Sequence, residues 1–161
     1  MQLISDWAAN LLSDWAPNVH PLIVHFPIGL LLAAVAIDIA GWMLRCNRWL
    51  RHMATFLYVA GTLTVFLTYF TGRAAAATVW LPGMAQAVVK EHWDWAFRTV
   101  WFFAAITTVR LMVLWPRQRE PRRVLVTAFA LAGLVGVLLL GETGDRGGRL
   151  VYQFGVGTGR Q

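Results

Sequence analysis

The stretch His20-Pro-Leu-Ile-Val-His-Phe-Pro-Ile-Gly-Leu-Leu-Leu-Ala-Ala-Val-Ala-Ile-Asp-Ile-Ala-Gly-Trp-Met-Leu44 carries a single charged residue, Asp38. At 1.5 Å of rise per residue, about 20 apolar residues cross the ~30 Å of bilayer hydrocarbon, so residues 21–44 read as one membrane span. Three further runs of similar character follow at 53–71, 94–115 and 122–141. The whole chain has 161 residues, 58% of them hydrophobic and only 14% charged, with a mean hydropathy of +0.55. A soluble domain of this size cannot hide that much apolar surface. The runs are continuous instead of alternating, which selects helices over a β-barrel. The expected fold class is an all-α integral membrane protein.

The connections set the topology. Short links at 45–52 and 116–121 make spans one and two, and spans three and four, antiparallel neighbours, whereas 72–93 is longer. The expected architecture is an up-down four-helix bundle over 18–158. Arg45, Arg48 and Arg51 in one short link, and Arg117, Arg119, Arg122 and Arg123 around the other with Arg110 one to two turns before it, place both links in the cytoplasm. Both termini then face the periplasm of a bacterial inner membrane. The same clustering explains the net charge of +6 without a nucleic-acid partner, because the arginines gather at span ends. The single cysteine, Cys46, excludes an internal disulfide, and the lack of Cys-x-x-Cys-His excludes covalent c-type haem.

Residues 1–16 lack the basic start and cleavable apolar core of a signal peptide. Ile4, Trp7, Ala8, Leu11, Leu12 and Trp15 fall at helical spacing instead, and Ser-Asp-Trp-Ala occurs at both 5–8 and 13–16. Residues 1–17 are expected to form a short amphipathic interfacial helix anchored by tryptophans, with a frayed extension as the alternative.

This topology gathers the unusual chemistry at the outer face. His20 and His25 open span one, His92 opens span three, and the glycine-rich tail Gly141-Glu-Thr-Gly-Asp-Arg-Gly-Gly-Arg-Leu-Val-Tyr-Gln-Phe-Gly-Val-Gly157 follows span four. Ionisable side chains at membrane depth mark functional sites, and a neutral imidazole is a strong iron or copper ligand. His25 and His92 are the leading metal-ligand pair, at matching outer depth on separate helices, as a b-type haem requires. Gly29 lies one turn below His25, and Ala33 and Ala36 extend that face, leaving room for a porphyrin or for another helix. Arg73, Arg98 and Arg149 are the candidate partners of haem propionates, and Trp93, Trp95, Phe97 and Phe26 the candidate edge contacts. The alternative is that both histidines only bond backbone or anchor in the interface.

Other groups have plainer readings. His20, before Pro21, is expected in extended geometry and too far round the cylinder from His25 to share a metal with it. Pro27 either frees the Ile23 carbonyl within a helix begun at Pro21, or itself starts the helix. Glu91-His92-Trp93-Asp94 reads as a helix start, with Asp94 a cap or an acid. Asp38 is expected to pair with Arg45 or a neighbouring helix, or, less readily, to carry protons. His52, among arginines, reads as solvated or lipid-facing. The tail lacks the lysine-Ser/Thr ending of a phosphate loop. It is expected to turn sharply at 144–148 and fold 150–154 over the bundle mouth as a lid, with Glu142, Asp145, Arg146 and Arg149 pairing among themselves. No hydrolase or zinc constellation is present.

With His20-Pro-Leu-x-Val-His25-Phe-Pro27 at the front and Thr143-Gly-x-x-Gly-Gly-x-Leu-Val-Tyr152-x-x-Gly-Val-Gly157 at the back, the chain resembles the bacterial predicted-membrane-protein family termed domain of unknown function 2231, from about residue 18 to 158. The resemblance implies four spans with a histidine opening the third, matched by His92, and a redox setting through members that accompany cytochrome-type domains. The family tail often reads Tyr-Glu-His-Gly-Val-Gly. Here it is Tyr152-Gln-Phe-Gly-Val-Gly157, and Phe154 cannot ligate a metal.

The expected function is a membrane electron-transfer subunit with haem b near the periplasmic face, a redox carrier rather than a stand-alone enzyme. Its expected partners are membrane lipid and either other membrane-complex subunits or a periplasmic cytochrome. The alternative is a cofactor-free structural or assembly subunit of a larger membrane complex. A quinone- or proton-handling role for Asp38 is a third reading, set back because the spans are read as lacking a second polar partner for it.

Overall fold

A computed structural model describes residues 19–44, 48–77, 79, 81–114 and 123–158. The expected interfacial helix at 1–17, and Arg45, Arg117, Arg119 and Arg122, lie outside the described residues. The elements are α1 (His20–Ile23), α2 (His25–Met43), α3 (Arg48–Ala76), α4 (Gln86–Leu114), preceded by a 3-10 turn at Gly83–Ala85, and α5 (Arg123–Tyr152). No strand occurs among the described residues. Four segments, His20–Met43, Arg48–Ala76, Gly83–Val113 and Arg123–Tyr152, are long and apolar enough to cross a membrane. The protein is an all-helical membrane bundle, as its sequence implies.

The helices pack as a closed ring, α2 on α3, α3 on α4, α4 on α5, and α5 back on α2. Its core is Leu31, Ala34 and Val35 of α2, Tyr58 and Val65 of α3, Val100, Phe103 and Ile106 of α4, and Phe129 of α5. Lipid tails are as apolar as leucine, so burial alone does not hold such helices together; close packing and interhelical hydrogen bonds do. Glycines supply the closeness. A Cβ on Gly136 would stand 2.5 Å from the Phe103 ring, and one on Gly133 would stand 2.7 Å from the Tyr58 hydroxyl. Leu63, Phe70, Met112, Leu131 and Leu138 instead point outward, as a lipid-facing surface requires.

Helix ends depart from the sequence reading in informative ways. Pro21 occupies the first turn of α1, where no helical N–H is needed, and the chain breaks lightly at Val24 before α2 begins at His25. Pro27 therefore falls in the first turn of α2, neither of the two positions expected for it. Helix α4 starts at Gln86, so Asp94 is not a cap; it sits inside the helix and pairs with Lys90 at 3.0 Å. The expected sharp turn at 144–148 is absent, and α5 runs unbroken to Tyr152. Glycines weaken a helix by up to about 1 kcal/mol each. Here the i,i+4 pairs Glu142–Arg146 and Asp145–Arg149 oppose that loss. The chain turns later, at Gly155, whose φ of 65° a glycine adopts freely. Leu150, Phe154 and Val156 then pack on Ala85, Val89 and Leu81, tying the tail to the start of α4.

All four membrane helices meet at Arg110, only 1% exposed. Its Nη1 and Nη2 donate to the two oxygens of Asp38 at 2.6 and 2.7 Å, across the diagonal from α4 to α2. Its Nε donates to Thr55 Oγ1 on α3 at 2.9 Å, while the Thr55 hydroxyl donates to the Arg51 carbonyl. The Tyr58 ring of α3 and the Phe129 ring of α5 flank the guanidinium at 4.9 and 5.1 Å. Asp38 thus pairs with a neighbouring helix, through an arginine that the sequence assigns only to orientation. The second polar partner within the spans exists after all. Breaking a buried pair leaves an uncompensated charge, at a cost of about 3–5 kcal/mol, whereas removing both charges together costs far less. Arg110→Met is expected to lower unfolding stability in detergent by about that much, and adding Asp38→Leu to restore most of it; denaturation curves of the single and double variants measure both.

Candidate functional site

The described histidines divide into two exposed and two inward-turned rings. His25 opens α2 on its exposed side, and His52 is exposed at the arginine-bearing end. His20 and His92 are half-buried at the opposite end. The His20 ring lies over Gly72 of α3, where an added Cβ would meet its Cε1 at 2.8 Å. The His92 ring lies over Gly147 of α5, where an added Cβ would meet its Cε1 at 3.2 Å. Each imidazole therefore occupies a notch that only glycine leaves open. The two rings are within electrostatic reach of each other.

Hydrogen bonds fix how each ring presents itself. His92 Nδ1 lies 3.0 Å from the carbonyl oxygen of Thr143. A carbonyl only accepts, so Nδ1 carries the proton and the lone pair of the neutral ring is on Nε2. His20 Nδ1 lies 3.3 Å from Thr71 Oγ1, whose own proton goes to the Thr68 carbonyl at 3.0 Å. Thr71 Oγ1 is then the acceptor, and His20 too is protonated at Nδ1. The Thr68 carbonyl also lies beside the His20 ring. Metal-binding histidines typically donate one ring N–H to an oxygen in this way, which orients the ring and raises the basicity of the other nitrogen.

A second layer supports His92. Thr99, 3% exposed, sits two turns below it on α4 and exchanges a hydrogen bond with Thr143 Oγ1 at 2.9 Å. The Thr143 hydroxyl also donates to the Leu139 carbonyl at 2.8 Å. These bonds pin α5 to α4 beneath the His92 acceptor.

The other sequence-derived site residues disperse. Gly29 is exposed with nothing near its Cα face, so it lines the outside of α2 and not a cleft beside His92. Arg149 pairs with Asp145 at 2.8 Å. Arg73 lies over the Trp93 ring at 5.9 Å and Arg98 over Trp95 at 5.0 Å, and neither makes an ion pair among the described residues. Arg146 lies over Trp95 at 4.7 Å and pairs with Glu91 and Glu142. The structure thus brings together His20 and His92 with Thr71, Gly72, Thr143 and Gly147; the sequence reading places His20, His92 and the glycine-rich tail at this face but pairs His92 with His25 instead of His20. His20 is not in the extended geometry expected before Pro21: it opens α1, with Pro21 in the first turn. Because a neutral, accessible imidazole is the reactive form, diethylpyrocarbonate should modify His25 and His52 well before His20 and His92; site-resolved mass spectrometry of the modified protein measures the order.

The family model described as predicted membrane protein (DUF2231) matches residues 16–160. No curated protein and no solved structure is similar enough to match. With four membrane-length helices and a family match over nearly its whole length, the chain belongs to the DUF2231 family of predicted membrane proteins.

Proposed function

We propose that the protein is a membrane electron-transfer subunit that carries a b-type haem at its histidine-bearing end, with His20 and His92 as the iron ligands. That end would face the periplasm and the arginine-bearing end the cytoplasm, following the positive-inside rule. The observation that carries the reading is the pair of inward imidazoles on separate helices, each held as the Nδ1–H tautomer by an oxygen acceptor.

The donor set favours a porphyrin over a bare ion. Protein sites for a single transition metal use three or four side-chain ligands, and no group of three histidine, cysteine or acidic side chains converges among the described residues. A b-type haem would need no more than two imidazoles from the protein, and His20 and His92 would supply them. His20 replaces His25 in this reading because His25 faces outward. Arg73 and Arg98, without ion pairs among the described residues, are the cations suited to propionates, while Arg149 is engaged by Asp145. Bound haem would supply one-electron transfer between a periplasmic carrier and a membrane partner. The chain's own part is to hold two imidazoles neutral and oriented, and to keep the site at the edge of an apolar bundle.

The test is a visible absorption spectrum of the full chain, purified in detergent after expression with haem supply, oxidised and then reduced. A Soret band and sharp reduced α band are expected. His20→Ala and His92→Ala should each abolish the low-spin spectrum, and His25→Ala should preserve it. Loss in His25→Ala in place of His20→Ala would assign that ligand to His25. A folded protein with neither Soret band nor iron would overturn the proposal in favour of a structural subunit.

A further inference from the structure

The net charge of the chain is concentrated at one end. Residues 45–52 and 117–123 hold seven arginines against one acid, Glu120, which matches the +6 of the entire sequence. The ion-paired Asp38 and Arg110 cancel each other. Among the described residues toward the histidine-bearing end, Arg73, Lys90, Arg98, Arg146 and Arg149 stand against Glu91, Asp94, Glu142 and Asp145, much of this charge in the ion pairs Lys90–Asp94, Glu142–Arg146 and Asp145–Arg149. On this cationic end a groove of about 440 Å³ opens along the start of α5, lined by Arg123, Val124, Thr127, Ala128 and Leu131. The Trp42 indole of α2 crosses to Thr127 and donates to its Oγ1 at 3.0 Å, fixing the two helices beside the groove.

We propose that this groove binds one anionic phospholipid, with its phosphate at Arg123 and an acyl chain along Val124, Ala128 and Leu131. Arg123 is exposed and makes no ion pair among the described residues, while the groove below it is almost wholly apolar. A headgroup that brings negative charge to the exposed Arg123, in a segment of the chain rich in arginine, and a hydrocarbon tail to an apolar groove, matches both parts. A zwitterionic lipid matches only the second. A second copy of this chain would bring the same arginines into mutual repulsion.

The experiment uses the detergent-purified full chain, delipidated and then exposed separately to phosphatidylglycerol, phosphatidylcholine and inorganic phosphate. Retained lipid is read by native mass spectrometry and stability by thermal unfolding. Phosphatidylglycerol is expected to stay bound at one per chain and to raise the unfolding temperature by several degrees, with phosphatidylcholine and phosphate giving neither effect. Arg123→Gln should reduce retained phosphatidylglycerol at least several-fold. Ala128→Trp, which fills the groove at an exposed position, should do the same with the fold intact. Equal retention of the two lipids, undiminished binding in both variants, or a dimer that Ala128→Trp disrupts would each overturn the proposal.

Discussion

A guanidinium buried inside a membrane bundle has to be neutralised where it lies, and Arg110 meets that constraint with all four helices at once. Asp38 accepts two of its N–H groups, Thr55 a third, and the faces of Tyr58 and Phe129 flank the planar cation. Lysine could not serve in the same place, because its ammonium offers neither a two-pronged match to a carboxylate nor a flat face for stacking. The pair also reaches across the bundle, from α2 to α4, where helix-to-helix contact is otherwise sparse. Neighbouring pairs are held by packing against small residues, and by bonds such as Thr62 to Thr107 at 2.8 Å. Interhelical hydrogen bonds of that kind average only about 0.6 kcal/mol in membrane proteins. An unpaired charge in hydrocarbon costs several times that, so the register of the four helices is set chiefly at Arg110.

The same constraint limits what Asp38 can do. Both Asp38 oxygens accept from the Arg110 guanidinium, so its charge is matched within the bundle by a structural partner. The Tyr58 hydroxyl next to it is fully buried and makes no hydrogen bond of normal geometry among the described residues, although it lies within electrostatic reach of Asp38. Above this level Phe103, with no exposed surface, fills the core between Thr62–Thr107 and Thr99–Thr143. The polar side chains of the interior are therefore grouped into separate layers and do not form a continuous file.

Span number, helix class and the antiparallel order were legible because they follow from long apolar runs and short links, signals that need no tertiary knowledge. What failed were features decided by contact. Four glycines between 141 and 148 suggested a turn, yet Gly147 is where the His92 ring enters and the flanking charges pair along the helix, so packing and i,i+4 attraction kept α5 straight. His25 seemed the ligand because Gly29 lies beneath it. The structure gives that glycine no neighbour, and places the useful notch on α3, at Gly72, opposite His20. Arg110 looked like one more orienting arginine, and only its meeting with Asp38 separates it from Arg48 or Arg123. Its place inside the apolar run 94–115, with Asp38 the one acid of the run 21–44, was the trace left in the sequence.

Those corrections bear on one another. Arg110 lies 18 residues beyond His92 on α4, about 27 Å away at 1.5 Å per residue. A site at the histidine mouth is thus separated from the ion pair by most of the membrane thickness, and neither centre has to adjust to the charge of the other. That distance lets the two ends be specialised independently. At one end Arg110 and Asp38 fix the register below a strongly cationic surface. At the other, the described acids and bases nearly balance around His20 and His92. Arg73, Arg98 and Arg146 at that end are each laid on a tryptophan ring of α4 and so kept at a set place relative to it. A long, straight α5 then has a physical purpose. By carrying Thr143 and Gly147 past the apolar run on a rigid helix, it sets the His92 acceptor and the His92 notch on the same frame that Arg110 holds through Phe129.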